Sequence, residues 1–304
     1  MRRAVYTFAG VLRQRGPLWP AGLALRAARC MLGGIPRGLV VEPCEACTGG
    51  CRGCVTPPRP AILEPKTLEA WIAARKAPPA TIHFAGRHSD PLASPLLAEL
   101  VAVARAHASM VSVSTIGLDM DGATARLPVD RWIVSLPAAT RETWRAVKGT
   151  DRFGEAVEAV RMISASRSGA VIEVVLTKWA GSAGDGPAFA ELAAREGWRN
   201  TTIVHTLHDP SGSAYSDPAV LALGEPDCPY GLDASGRVAL TRPRAGCPQA
   251  GYLCIDARGT LRPCPFSGAD VPLIPEPSRG AWREARGWRA AKSSRSFPNC
   301  RICP

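Results

Sequence analysis

The sequence lacks an uninterrupted apolar segment long enough to cross a membrane. The apolar stretch near its N-terminus, residues 18–32, is broken by Arg26 and Arg29, and a spanning helix needs about 20 predominantly apolar residues. The same two arginines break the continuous apolar core that a secretory signal peptide requires. We therefore expect a cytoplasmic protein that does not act in a membrane.

Acidic residues are fewer than basic ones, and internal repeats and low-complexity segments are lacking. Lys and Arg total 37 against 26 Asp and Glu, which gives a net charge of +11. Such an excess can indicate contact with nucleic acid or a membrane surface. Here the basic residues are scattered, mostly arginine, and never form a run of five. This distribution favours a solvated basic surface and predicts no nucleic-acid partner.

Cysteine, in contrast, is abundant. The chain has 11 cysteines, which a secreted protein would use in disulfides and a cytosolic one as metal ligands or reactive thiols. Because no secretory signal is found, we expect metal ligation.

Three thiols, Cys47, Cys51 and Cys54, follow an apolar run with the spacing C-x3-C-x2-C. Three cysteines are one ligand short of a cubane iron–sulfur cluster, and an open coordination position is typical of a catalytic metal. Cys44 adds a fourth thiol, so a closed zinc site is the alternative. The two C-x2-C pairs are only three residues apart, however, whereas zinc ribbons usually separate them by about 15–20 residues.

From residue 38 to about residue 208, apolar runs of strand type alternate with segments of helical periodicity. This alternation predicts a parallel sheet with helical crossovers, and six strands are too few for an eight-stranded barrel. We therefore predict an α/β fold with an open, partial (β/α)6 barrel. The predicted strands are residues 39–42, 81–85, 111–115, 132–136, 171–177 and 202–205, and the predicted helices are residues 65–76, 94–108, 152–165 and 187–197.

The composition divides the chain into three predicted segments. Residues 1–37 are Arg-rich and are expected to form a helical extension, with short helices at 6–13 and 20–32. Residues 38–215 form the barrel. In residues 216–304 helical periodicity disappears, and six of the 11 cysteines occur there. We expect this last segment to be a small cysteine-rich domain.

The cysteine loop and the strand before it resemble the radical S-adenosylmethionine (SAM) enzymes. That family has a partial (β/α)6 barrel with its cluster loop after the first strand, where Cys47, Cys51 and Cys54 occur here. The resemblance implies that these thiols hold a [4Fe–4S] cluster whose remaining iron binds SAM. It also implies reductive cleavage of SAM to a 5′-deoxyadenosyl radical that abstracts hydrogen from a substrate. The electron donor would be a small redox protein such as flavodoxin or ferredoxin.

Shorter motifs of the same family occur in the same order along the chain. The segment from Gly86 to Asp90 resembles the Gly-Gly-Glu-Pro motif that binds the amino group of SAM, with Asp90 in place of the glutamate. Thr115 is similar to the first residue of the family's Thr-Asn-Gly motif, and Ser135 to the serine of its Ser-Leu-Asp stretch. The resemblance therefore implies that these four residues bind SAM.

The C-terminal cysteines form a second pattern, C-x11-G-x4-C, followed 36 residues later by C-x2-C. It resembles the auxiliary-cluster domain of SPASM and twitch radical SAM enzymes. Because four cysteines match, the shorter twitch type with one auxiliary [4Fe–4S] cluster fits better. Zinc bound by the same four thiolates is the alternative. The implied ligands are Cys247, Cys264, Cys300 and Cys303.

Four cysteines remain outside both patterns. Cys30 and Cys44 are expected to be structural. Cys254 lies in a predicted β-hairpin, residues 253–262, whose turn contains glycine, and Cys228 lies in a Pro-rich loop. Each of these two is either a small buried hydrophobe or the donor of a hydrogen atom to a substrate radical, with Cys254 the first candidate.

The substrate class follows from resemblance alone. Peptide maturases of this type usually carry an additional N-terminal recognition domain, and the 37 residues before Gly38 are too few for one. This favours a small molecule. The short aminoglycoside-tailoring enzymes are most similar, and among them neomycin C epimerase. The implied reaction is inversion of a sugar carbon, with a thiol returning hydrogen to the opposite face.

Three alternatives remain open. The first is dehydrogenation of an aminocyclitol, and the second is a SPASM or twitch peptide maturase with a separate leader-binding partner. The third is a basic, zinc-stabilised nucleic-acid-binding protein. A polycationic aminoglycoside would require acids near the strand ends, and the candidates are Glu42, Asp119, Glu173 and Asp209.

Overall fold

The structure is a computed structural model that describes residues 18–50, 60–86, 89–166, 168–205, 221–225, 228–241, 247, 249–265 and 271–294. Within these ranges, no helix is both long and apolar enough to cross a membrane. The predicted helix at 6–13 lies outside the described residues, as do four of the predicted cluster ligands, Cys51, Cys54, Cys300 and Cys303.

Six parallel strands lie side by side in chain order, each joined to the next by a crossover. This arrangement confirms the predicted α/β fold with a partial barrel of parallel strands. The strands are β1 (Gly38–Val41), β2 (Thr81–Phe84), β3 (Met110–Thr115), β4 (Arg131–Leu136), β5 (Val171–Lys178) and β6 (Thr201–His205).

The helices predicted at 20–32, 65–76, 94–108, 152–165 and 187–197 are present with small differences at their ends. The helices at 122–125 and 141–148 were not predicted, and the expectation that the C-terminal segment has no helical periodicity is wrong, because two short helices lie at 279–284 and 286–293. The helix predicted to start at Ser94 begins at Leu97 instead, because Pro95 disfavours helical geometry at the residue before it, and Ser94 has ψ of 120°. The helices are α1 (Trp19–Leu32), α2 (Pro65–Ala73), α3 (Leu97–His107), α4 (Gly122–Ala125), α5 (Arg141–Lys148), α6 (Phe153–Ala165), α7 (Gly186–Glu196), α8 (Arg279–Glu284) and α9 (Arg286–Ser293).

The two faces of the sheet differ in polarity. On β4, Trp132, Val134 and Leu136 are completely buried in the apolar core, whereas the alternating residues between them are half-buried. Successive side chains of a strand point to opposite faces, so the second set faces the concave interior of the partial barrel. That interior face is where the polar residues of the strands occur.

The C-terminal hairpin extends the main sheet. Its first strand, β9 (Tyr252–Ile255), pairs in parallel with β1, and β10 (Leu261–Arg262) pairs antiparallel with β9. Gly38 of β1 allows this contact, because a Cβ there would lie 2.4 Å from the Tyr252 ring. A separate hairpin consists of β7 (Tyr230–Leu232) and β8 (Val238–Leu240).

Two tryptophan side chains connect the β9–β10 hairpin to helices outside the sheet. The indole of Trp71, on α2, donates to the carbonyl of Gly259 in the hairpin turn at 2.7 Å. The indole of Trp282, on α8, donates to the carbonyl of Trp71 at 3.1 Å, and the two rings meet edge to face at 5.7 Å. The hairpin therefore has a defined position beside β1.

Candidate active site

The cysteine loop begins where β1 ends, and Cys44 anchors its first part. Cys44 is completely buried, with Sγ 3.5 Å from the carbonyl oxygen of Asp90 and 3.6 Å from that of Ala46. Burial raises the pKa of the Cys44 thiol to about 11, so the thiol remains protonated at neutral pH. Its burial and its contacts with two backbone carbonyls suit the structural role expected for Cys44.

Cys47 is half-buried and accepts a hydrogen bond from the backbone N–H of Gly49 at 3.3 Å. Gly49 has no room for a side chain, because a Cβ would lie 2.7 Å from Ile116 Cδ1 and 3.1 Å from Cys47 Sγ. Gly50 has φ of +62°, a conformation that favours glycine. The two glycines let the backbone fold closely around the sulfur of Cys47.

Lys148 reaches this loop from the last turn of α5. Its side chain is 3% exposed, and its Nζ lies 3.3 Å from the position that a Cβ on Gly49 would occupy. The same atom lies 5.9 Å from the centroid of the Trp144 ring. In the sequence, Lys148 and Gly149 resemble the Arg-Gly pair that precedes a helix in the radical SAM family, a resemblance that gives Lys148 no role of its own. Its position in the last helical turn, directly before the left-handed capping residue Gly149, is the sequence feature that could have indicated it.

Asp90 and Thr115, both predicted to bind SAM, contact each other directly in the structure. Both are buried, and the Thr115 hydroxyl donates to the Asp90 carboxylate at 2.8 Å. The backbone N–H groups of Ile116 and Leu92 donate to the same carboxylate at 2.7 and 2.9 Å. Burial raises the pKa of Asp90, although these hydrogen bonds and the charge of Lys148 act in the opposite direction. The carboxylate thus holds the loop after β3 against the loop after β2.

Gly86 and Ser135 occupy neighbouring parts of the same edge. Gly86 has no room for a side chain, because a Cβ would lie 2.1 Å from the Ser89 carbonyl oxygen. Ser89 Oγ in turn donates to Glu42 at 3.1 Å. Ser135 is half-buried near the end of β4, on the interior face of the strand.

Below this edge, polar side chains fill the barrel interior, a feature that sequence reasoning missed. His83 on β2 is hydrogen-bonded through both ring nitrogens, to Ser112 Oγ at 2.8 Å and to Ser114 Oγ at 3.1 Å. Burial, together with the charge of Arg131, lowers the pKa of His83 to about 4, so the imidazole is neutral near pH 7. The period-two recurrence of polar residues on β2 and β3 could have indicated this network.

The acids proposed to attract a polycationic substrate are mostly engaged within the chain. Glu173 forms an ion pair with Arg131 and accepts a hydrogen bond from Thr202 at 3.1 Å. Asp119 pairs with Arg152 at 2.6 Å. Asp209 lies outside the described residues. Of these candidates, Glu42 lies nearest to the hairpin, where it influences Cys254.

Cys254 lies on the interior face of β9, in register with Val40 of β1 and Arg262 of β10. It is 2% exposed, and burial together with the charges of Glu42 and Asp256 raises the pKa of its thiol. The thiol is therefore protonated. Because β1 leads directly into the Cys47 loop, the neighbouring strand places Cys254 at the same side of the barrel.

The other C-terminal cysteines differ in environment. Cys247 and Cys264 are half-buried and lie on the two sides of the hairpin. Cys264 acts electrostatically on Cys254. Cys228 is half-buried against the small cluster of β7 and β8, and its backbone N–H donates to the Glu225 carbonyl at 3.0 Å. Glu225 pairs with Lys178, at the end of β5, at 2.7 Å. Because β5 and β9 lie near opposite edges of the sheet, the Cys228 segment is attached near the edge opposite to that of Cys254.

The donor chemistry around Cys47 fits an iron–sulfur cluster. A backbone N–H directed at the sulfur and a buried ammonium nearby are the kinds of group that tune such clusters. Within the described ranges, no three His, Cys, Asp or Glu side chains form a complete metal site. Each predicted ligand set has two members outside those ranges.

The partial barrel of parallel strands is the fold of the radical SAM enzymes. The chain is similar to anSMEcpe, solved with bound AdoMet (SAM), with a TM-score of 0.59, 13% identity and coverage of 88% of this chain and 87% of that chain. It is similar to Streptococcus suis SuiB, solved with the precursor peptide SuiA, with a TM-score of 0.60, 12% identity and coverage of 92% and 74%.

The alignments are not equally complete. Against anSMEcpe with AdoMet and the Cp18Cys peptide, the aligned part is 51% of that chain, with a TM-score of 0.46. No family model and no curated protein matches the sequence. At these identities the comparison establishes the fold, and function has to be argued from the site.

Proposed function

We propose that this protein is a radical SAM enzyme in which Cys47, Cys51 and Cys54 hold a [4Fe–4S] cluster with one iron open to SAM. The observation that carries this proposal is the environment of Cys47, which combines an N–H directed at its sulfur with the buried ammonium of Lys148. The loop lies at the carboxyl edge of the parallel strands, where open α/β folds bind ligands. When bound, the cluster and SAM supply a 5′-deoxyadenosyl radical.

The residues along this edge would bind the polar groups of SAM. Lys148 brings a positive charge that suits the carboxylate of its methionine part. Gly86 offers backbone groups with no side chain in the way, and Ser135 and Thr115 offer hydroxyls. The Asp90 oxygens already accept hydrogen bonds from Leu92, Thr115 and Ile116. We therefore assign Asp90 mainly to holding the loop after β3, with its charge available to the amino group.

The C-terminal segment would hold the auxiliary cluster. Cys247, Cys264, Cys300 and Cys303 are the proposed ligands, and residues 216–304 the proposed domain. Because β9 pairs with β1, this domain would share the barrel sheet rather than stand apart from it. Its position beside β1 would bring the two clusters to one side of the molecule.

The finer proposal is epimerisation of an aminoglycoside-like small molecule. The position of Cys254 is the observation that supports this finer proposal. A buried, protonated thiol on the interior face beside β1 is suited to donate a hydrogen atom. With SAM bound, abstraction of one hydrogen atom would leave a radical on a substrate carbon, and the S–H bond of Cys254 would break to return one hydrogen atom to the other face. The auxiliary cluster would supply the one electron that, with one proton, restores the Cys254 thiol. Flavodoxin or ferredoxin would supply the electrons.

Two other outcomes use the same first step. Loss of a second electron to the auxiliary cluster, with a proton, would give a ketone from an aminocyclitol alcohol. The similarity to SuiB with its bound precursor peptide SuiA favours a peptide substrate as the second candidate. Cys228, on the far side of the sheet, is the second candidate for hydrogen donor.

Turnover in deuterated water tests the epimerase proposal. Thiol hydrogens exchange with solvent, so deuterium should appear at the inverted carbon. Cys254→Ala should stop product formation while 5′-deoxyadenosine still forms. Cys30→Ala is the matched control and should retain epimerisation. Loss of epimerisation in Cys228→Ala would assign the donor role to Cys228 instead. Epimerisation by the Cys254→Ala variant would refute the donor assignment, and product from peptides alone would favour the second candidate.

A further inference from the structure

Lys292 is a buried lysine at the end of α9 that no sequence motif singled out. Its side chain is 1% exposed. Its ammonium donates to three backbone carbonyls, those of Gln249 at 2.5 Å, Tyr252 at 2.7 Å and Pro263 at 2.9 Å. An ammonium can donate three hydrogen bonds, and the three carbonyls come from separate positions of the chain.

The three carbonyls belong to the two chain segments that carry Cys247 and Cys264. Gln249 lies in the turn that starts at Cys247, whose own carbonyl accepts from the Ala250 N–H at 3.1 Å. Pro263 directly precedes Cys264. One side chain therefore joins the backbone beside both thiols.

The interaction places a positive charge where a cluster would be negative. Burying an ammonium is costly unless its donors are satisfied, and these three carbonyls provide acceptors for it. A [4Fe–4S] cluster with four thiolate ligands is anionic, and nearby charge shifts its reduction potential. Lys292 also lies eight residues before Cys300, so the same contact fixes the end of the helix that leads to the remaining two ligands.

We propose that Lys292 is a positioning residue for the auxiliary cluster. It holds the Cys247 and Cys264 segments at a fixed spacing, and its charge raises the reduction potential of the cluster. The proposal rests on the proposed function, because it takes the C-terminal cysteines as cluster ligands.

The test uses the full chain with Cys47, Cys51 and Cys54 replaced by alanine, so that the auxiliary cluster alone is loaded. This background should bind about four irons. Lys292→Met should bind iron roughly 10–100-fold more weakly in competition with a chelator, as is typical for changes next to metal ligands. Its midpoint potential, followed by electron paramagnetic resonance, should become more negative. Lys292→Arg keeps the charge and should stay close to the background, as should Lys76→Met, which alters an exposed lysine.

The outcomes separate this proposal from the function on which it rests. A background protein that binds no iron would overturn the auxiliary cluster and Lys292 together. A background that binds iron, with unchanged retention and potential in Lys292→Met, would overturn the Lys292 proposal alone. If Lys292→Met does not fold, Lys292→Gln is compared with Lys292→Arg, and equal midpoint potentials would overturn the proposed effect of the charge.

Discussion

Glu45 and Arg258 form a two-point ion pair between the cysteine loop and the turn of the C-terminal hairpin. Glu45 Oε1 lies 2.9 Å from Arg258 Nε, and Oε2 lies 3.0 Å from Nη2. Burial acts to raise the pKa of Glu45, but the hydrogen bonds from Arg258 and from the Ala61 N–H lower it overall. Glu45 lies between Cys44 and Cys47, so the pair connects the loop of one proposed cluster to the hairpin of the other.

Replacing Arg258 by alanine should loosen the first cluster loop. Because Arg258 is exposed, the effect on overall stability should be small, whereas the loop loses its attachment to the hairpin. We expect faster loss of the cluster from reconstituted protein in the presence of a chelator. Arg237→Ala removes an exposed arginine of the β7–β8 hairpin and is the matched control. Equal cluster lifetimes in the two variants would show that the pair does not support the loop.

Glycine at position 49 should be required for cluster assembly. Gly49→Ala places a methyl group 2.7 Å from Ile116 Cδ1 and 3.1 Å from Cys47 Sγ, so the loop must move away from its sulfur. Iron content after anaerobic reconstitution should fall. Gly22→Ala, in α1 with nothing within 4 Å of the new methyl group, should bind iron normally and gain about 0.5–1 kcal/mol of stability from helix propensity. Normal iron binding by Gly49→Ala would contradict the proposed loop geometry.

Removal of the Asp90 carboxylate should affect both stability and SAM binding. Asp90→Ala leaves the buried N–H of Ile116 and the Thr115 hydroxyl without their acceptor, at a cost of about 3 kcal/mol in the free energy of unfolding. Urea denaturation and equilibrium dialysis with SAM measure the two effects. Asp121→Asn changes an exposed helix-capping aspartate and should have little effect on either, because both residues cap helices well. SAM affinity unchanged in Asp90→Ala would refute a contribution of its charge to SAM binding, and an unchanged free energy of unfolding would refute its role in holding the loop after β3.

His83 should make stability depend on pH below neutrality. Its pKa in the folded protein is about 4, against 6.5 ordinarily, so the unfolded chain binds more protons between these values. The contribution of neutral His83 is therefore complete above pH 6.5 and is lost as the pH falls towards 4. Between pH 7 and pH 5 we expect it to amount to about 2 kcal/mol. Urea denaturation at both pH values should show a smaller loss for His83→Gln than for the unchanged protein, and equal losses would contradict the burial of neutral His83.

Much of the barrel could be predicted from the sequence because its signals are local. Short apolar runs, helical periodicity and flanking Pro or Gly indicated the six strands, and each lies within about two residues of its predicted position. The position of the C-terminal hairpin could not be predicted. The pairing of Tyr252 with Gly38 joins residues more than 200 positions apart, and no local pattern encodes that contact.

The candidate site shows the same division. The spacing of cysteines indicated Cys47, Cys247 and Cys264, and the order of short motifs indicated Asp90 and Thr115, which the structure brings together.

The burial of Lys148 and of Lys292 could not be predicted in this way. A buried lysine has the same sequence appearance as an exposed one, and its role arises from carbonyls and thiols contributed by distant segments.

The most direct test of the central claim is SAM cleavage by the anaerobically reconstituted, reduced protein, compared with Cys47→Ala. We predict about eight irons per chain, as two [4Fe–4S] clusters require, and release of 5′-deoxyadenosine that depends on SAM and a reductant. Cys47→Ala should retain about four irons in the auxiliary cluster. It should release no 5′-deoxyadenosine. A colourless protein that binds zinc tightly and leaves SAM intact would contradict the claim.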